Sequence, residues 1–143
     1  EHAKRFFKFL LAGFEGELPQ NIEIQAGFPV AQGNTLDNLK AAAHGENEEW
    51  SILYPQFADV AEKEGFKEIA AVYRNIASAE EKHETRFNKL AKNIEDGTVF
   101  KKDGKVFWKC GNCGYIHEGD EAPEICPACA HPQAHFELFV ETY

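Results

Sequence analysis

The stretch "SAEEKHETRF", residues 78–87, interrupts an otherwise apolar helical stripe. Ile69, Val72, Tyr73 and Ile76 lie before it and Phe87, Leu90 and Ile94 after it, at the three- and four-residue spacing of one buried helix face. That spacing requires two more members between Ile76 and Phe87, and they fall on Glu80 and His83. An ionised carboxylate buried without a partner is strongly unfavourable, so a helix that turns Glu80 towards its core needs a counter-charge there.

The same oddity recurs upstream. Residues 35–64 read as a helix with Thr35 as its N-cap, Gly65 as its stop and a kink at Pro55. Its stripe runs Leu39, Ala42, Ala43, Glu46, Glu49 with Trp50, Leu53, Phe57 and Val60, again with carboxylates on the apolar face. The opening "EHAKRFFKFLLAG", residues 1–13, places His2, Phe6, Phe9 and Leu10 in one register and stops at Gly13. It starts in mid-pattern with no cap, and the chain holds no Met, so residues 1–12 read as the tail of a longer helix in a fragment or processed product. Residues 13–34, rich in Gly and Pro, read as a crossover connection, and the helix carrying residues 78–87 spans about 67–93, ending near Gly97.

Glu46 and Glu49 are three apart, as are Glu80 and His83, and such pairs on antiparallel helices converge on one point. One Glu at the edge of a stripe is commonplace. Five such residues, counting His2, on three helices and all on buried faces are not. Adjacent buried carboxylates repel, and a cluster of divalent or trivalent cations removes that repulsion. Carboxylate plus imidazole, with Glu bridging two ions, suits iron or manganese.

Composition agrees with metals as the cations. There are 24 acidic against 15 basic residues, which argues against nucleic acid as a partner, and no apolar run approaches the length of a membrane span. Cys110, Cys113, Cys126 and Cys129 form C-x2-C-x12-C-x2-C, two knuckles around one tetrahedral ion, and point to a reducing cytoplasm rather than to disulfides. Iron and zinc share that spacing. Aromatic neighbours (Phe107, Trp108, Tyr115, Phe136, Phe139) favour iron. Gly114 closes the first knuckle, whereas Ala130 closes the second and predicts a strained turn. His117, His131, His135 and His44 read as surface residues.

The run "KAAAHGENEEWSILYPQFADVAEKEGFKEIAAVYRNIASAEEKHETRF" resembles the second half of a rubrerythrin, with "EHAKRFFKFLL" similar to the end of that family's second helix and "CPACAHPQAHFEL" to the end of its rubredoxin-like tail. The resemblance covers nearly the whole chain. It implies an all-α ferritin-like four-helix bundle, incomplete here, over residues 1–97 and a small β-rich rubredoxin-like domain over 98–143. By position it implies Glu46, Glu49, Glu80, His83 and His2 as ligands of a di-iron centre, with Glu49 changing coordination as iron changes oxidation state. Tyr54 matches a tyrosine that hydrogen-bonds near that centre, although on the residues alone it is one more large side chain beside the stripe. Further glutamates would come from helices preceding Glu1.

The implied activity is reduction of hydrogen peroxide to water, with electrons from a pyridine-nucleotide-linked reductase or a rubredoxin relayed through a four-cysteine iron. The alternatives are an electron-transfer or zinc-ribbon module with an incomplete bundle, and ferritin-like iron oxidation and storage. The resemblance also implies a homodimer. Unsheathed Phe6, Phe9, Phe57 and Val60 predict a second polypeptide, either a separate N-terminal half or a swapped neighbour, completing the bundle.

Overall fold

The computed structural model describes residues 1–14 and 21–142; the middle of the 13–34 connection, residues 15–20, lies outside the described residues. The chain divides into two compact units, Glu1–Asn88 and Lys89–Tyr143.

The first unit is helical. Helix α1 (His2–Gly13) ends with Phe14 as its cap, whose N–H reaches the Leu11 carbonyl at 3.3 Å. Helix α2 (Thr35–Glu48) begins one residue earlier than Thr35 would have capped it: Asn34 is the N-cap, its Oδ1 accepting from the Asp37 N–H at 2.9 Å. Asn and Thr are both good caps, and only local geometry separates neighbours of that kind. The helix expected over residues 35–64 is not uniform. A π-helical turn (Glu49–Leu53) separates α2 from α3 (Tyr54–Lys63), with Pro55 in the first turn of α3. Proline has no N–H to donate and crowds the preceding turn, and a wider turn just upstream absorbs both defects.

Helix α3 closes in a Schellman motif. The Phe66 N–H bonds to the Ala61 carbonyl at 2.8 Å, and Gly65 adopts φ +91. This reverses the chain into α4 (Lys67–Glu95), 29 residues long, which ends the same way with Thr98 N–H on the Asn93 carbonyl and Gly97 at φ +68. Small residues let α3 and α4 approach: Ala58, Ala61 and Ala70 are buried together under Ile69 and Tyr73. Tyr73 gathers aromatics from the other helices, with Phe6 at 4.7 Å, Phe57 at 5.6 Å and Tyr54 at 5.8 Å between ring centroids. Of the four residues expected to form an apolar patch, Phe57 and Val60 are exposed, while Phe6 and Phe9 are half-buried against α4.

The second unit begins in the last turns of α4 and continues as a small antiparallel sheet in the order β2-β1-β3. Strand β1 (Lys101–Cys110) pairs with β2 (Ile116–Glu121) and β3 (Phe136–Leu138). Its core is Trp108, Cys110, Ala122, Cys126 and Phe136, so two of the cysteines are themselves core residues. No described helix is long and apolar enough to cross a membrane.

Candidate metal centres

Glu80 is the pivot of the helical site. It is buried at 3% exposure, and each carboxylate oxygen faces a different imidazole: Oε1 lies 2.7 Å from His2 Nδ1 on α1, and Oε2 lies 2.5 Å from His83 Nδ1 one turn along α4. The two rings are nearly parallel, 23° apart with centroids at 6.4 Å. Glu46 arrives from α2, its Oε1 3.6 Å from His83 Nδ1. One donor atom each from Glu46, Glu80 and His83 lies within 4.8 Å of the others.

Glu49 is placed differently. Its carboxylate accepts a hydrogen bond from the Tyr54 phenol and acts on Glu46 through charge. The π turn makes this pairing. Residues five apart in an α-helix diverge by about 140°, whereas here the Tyr54 N–H bonds to the Glu49 carbonyl and stacks the two residues along one face. Burial, then the Glu49 hydrogen bond and charge, push the Tyr54 phenol up, so it keeps its proton. Burial and the charge of Glu80 likewise raise the Glu46 carboxyl, partly offset by His83.

This donor set fits a pair of hard-to-borderline cations. A carboxylate that offers one oxygen to each of two imidazole-bearing positions has the arrangement of a bridging ligand. The burial of Glu46 and its repulsion by Glu80, which raise the Glu46 carboxyl, are the strain that a cation relieves.

The four cysteines form a second site, and all four are free thiols. Sγ of Cys110 lies 3.7 Å from that of Cys129, and Cys113 is equally far from Cys126. A regular tetrahedron with about 2.3 Å from metal to sulfur has edges of about 3.8 Å, so the thiols are spaced for one ion.

Two knuckles repeat the same bonds. Cys110 accepts from Gly114 and donates to Tyr115, while Cys126 accepts from Ala130 and donates to His131, each at 2.8 Å through the backbone. The N–H of Tyr115 also reaches the Cys113 sulfur, and that of His131 the Cys129 sulfur. The closing residues take left-handed backbones, Gly114 at φ +79 and Ala130 at φ +58. Four sulfurs in one pocket cannot ionise alike without a cation. The His131 N–H helps to hold Cys129 down at about 6. Cys113 stands at about 12, because its three sulfur neighbours and burial outweigh the Tyr115 N–H.

Of the neighbouring histidines, His131 turns Nδ1 to the Cys129 carbonyl at 3.1 Å and packs edge-on against His135. His44 is exposed. Sequence reasoning passed over Glu84, Asn47 and Trp50 as a group, although they form the densest polar contact beside the helical site. Trp50 Nε1 donates to Glu84 at 2.6 Å, and Asn47 Nδ2 donates to the same oxygen at 3.2 Å. The available signal was positional, since each follows one of Glu46, Glu49 and His83 by one residue.

A helical unit with a carboxylate–imidazole cluster, followed by a small sheet holding four thiols, defines a ferritin-like di-iron carboxylate protein with an appended rubredoxin-like domain. The family model described as Rubrerythrin matches residues 1–91, and that described as the rubredoxin-like domain of rubrerythrin matches residues 108–137. The chain is 62% identical over 144 residues to a rubrerythrin of Clostridium perfringens, covering all of this chain and 72% of that one. It is 54% identical to a rubrerythrin of Porphyromonas gingivalis, covering all of this chain and 68% of that one. Among solved structures, a mixed-valence nigerythrin superposes with a TM-score of 0.52 at 29% identity. That alignment covers 96% of this chain but only 62% of the nigerythrin. The chain belongs to the rubrerythrin family. Its cofactors are accordingly a di-iron centre and a rubredoxin-like iron, and the family is one of oxidoreductases.

Proposed function

We propose that this protein reduces hydrogen peroxide to water in oxidative-stress defence, with electrons passed through the four-cysteine iron. The reading rests on one observation above all: buried Glu80 offers an oxygen to each of His2 and His83 in a chain that also carries a tetrathiolate pocket. His2, Glu46, Glu49, Glu80 and His83 would hold the di-iron centre, and Cys110, Cys113, Cys126 and Cys129 the single iron.

When bound, two ferrous ions supply the two electrons that O–O cleavage consumes, and two protons complete two waters. The chain's own part is placement and proton control. Glu80 sits between imidazoles carried on two helices, so in the metal-free chain it is already aligned where the ions would be held. Tyr54 keeps its phenolic proton and donates to Glu49, which fixes Glu49 for the change of coordination assigned to it. We place the functional boundary between the two domains at Gly97.

Electrons would come from a pyridine-nucleotide-linked reductase or a rubredoxin. A homodimer and a cytoplasmic location belong to the same reading. Nigerythrin has been solved in mixed-valence and all-ferrous states, which supports redox-active iron on this fold.

Glu80→Ala tests the reading. Peroxide turnover of the iron-loaded protein should be abolished while the visible absorption of the four-cysteine iron persists. Unchanged turnover would refute it.

A further inference from the structure

Three residues beside the helical site form a set that peroxide chemistry does not use. Asn47, Trp50 and Glu84 each follow one of Glu46, Glu49 and His83 by one position, which rotates them about 100° around their helices from the metal-facing side. They meet on that flank. Glu84 Oε2 accepts from Trp50 Nε1 at 2.6 Å and from Asn47 Nδ2 at 3.2 Å, while Oε1 faces Asn88 Nδ2 at 3.4 Å. Trp50 belongs to the π turn, and the Ser51 hydroxyl donates to the Asn47 carbonyl at 2.6 Å at the same place.

A π turn is less favourable than the α-helical turn it replaces and persists only where its surroundings hold it. The surroundings here are Pro55 just downstream, the Tyr54–Glu49 hydrogen bond and, from another helix, the Glu84 carboxylate on α4. An indole N–H to a carboxylate is a charge-assisted hydrogen bond of the strong kind, and the planar ring gives it a fixed direction.

We propose that Glu84 is a positioning residue: by gripping Trp50 and Asn47 it latches the π turn to α4 and sets the separation of Glu46 and Glu49 from Glu80 and His83. The inference rests on the ligand assignment above and concerns residues that touch neither metal nor peroxide.

The test compares iron-loaded wild type with Trp50→Phe, Glu84→Gln, Glu84→Ala and the double variant Trp50→Phe/Glu84→Ala. The di-iron absorption band is read against the four-cysteine band as internal standard, alongside kcat and KM for peroxide. Trp50→Phe and Glu84→Ala should each displace the di-iron band and lower kcat or iron retention about tenfold, the scale for residues that orient ligands. The double variant should be no worse than either alone, and Glu84→Gln, which keeps an acceptor oxygen, should recover most of the loss.

A wild-type band in Glu84→Ala, even with a lowered melting temperature, would reduce Glu84 to a stabilising contact and overturn the proposal. So would additive effects in the double variant. If Glu84→Ala fails to fold, Trp50→Phe decides alone, and a wild-type band there has the same consequence. The band is recorded without peroxide. A wild-type protein that binds iron yet leaves peroxide untouched would therefore sink the peroxidase reading while leaving this test intact.

Discussion

Ala130 is where one side chain works against its own turn. Its backbone sits at φ +58 in the second knuckle, the place that Gly114 fills at φ +79 in the first. A Cβ in the left-handed region is disfavoured by roughly 1–2 kcal/mol. Ala130→Gly should therefore stabilise the cysteine-bearing unit by about 1 kcal/mol, read as slower thermal bleaching of its visible band. Glu46 carries a different tension. Burial and Glu80 raise its carboxyl above the ordinary 4.5, so the metal-free folded chain binds this proton more tightly than the unfolded chain. The contribution of Glu46 to metal-free stability is thus fully present below pH 4.5 and is lost as pH rises through the raised value. Glu46→Gln cannot lose it. Metal-free Glu46→Gln should melt above wild type at pH 7, the difference should vanish towards pH 4, and iron loading should fail.

Between residues and molecule stands the π turn, Glu49–Leu53. Removing both the proline and the Glu84 grip, in Pro55→Ala/Glu84→Ala, should let α2 and α3 fuse into a regular α-helix and carry Tyr54, five residues on, about 140° away from Glu49. Circular dichroism should keep its helical signal, while iron bound at the helical site should fall more than tenfold; normal loading would show that the turn is incidental. This element also marks where the sequence stopped being legible. The stripes of residues 35–64 and 67–93 showed which faces turn inward, because apolar spacing tolerates a residue of slippage, although Phe57, Val60 and Leu90 on them stay exposed, and Pro55 announced a defect. What proline does to a helix depends on how neighbouring turns absorb the missing N–H, and nothing in "EEWSILYP" separates a bend from a π turn. Glu80, Cys110 and Cys126 were readable because burying such side chains demands explanation; His83, whose ring is half exposed, was readable by its place one turn along from Glu80, and Cys113 and Cys129 by their spacing. Glu84 was not, since a carboxylate at the polar edge of a helix looks the same whether it is solvated or grips an indole on another helix. Ala130 was readable as a departure from Gly114, and its left-handed backbone shows the expected strain.

At the scale of the molecule, two sites of unlike chemistry share one chain, a carboxylate–imidazole cluster in Glu1–Asn88 and four thiols in Lys89–Tyr143. The core of the second unit contains Cys110 and Cys126 themselves, so its stability depends on what the sulfurs hold. Stripping metal from the thiols should unfold that unit while most of the helical signal of the first survives. Loss of both together would show a single cooperative body. The burial of Trp108 makes this visible without added dyes. The 143 residues hold two tryptophans, and one falls in each unit. Trp108 is 1% exposed, its Nε1 on the Gly119 carbonyl at 3.2 Å, and its fluorescence should shift to the red when water reaches it. Trp50, tied to Glu84, should stay silent through the same step. The protein thus carries an intrinsic two-channel optical gauge, in which Trp50→Phe and Trp108→Phe variants would each leave one lamp lit to report which half of the molecule has opened.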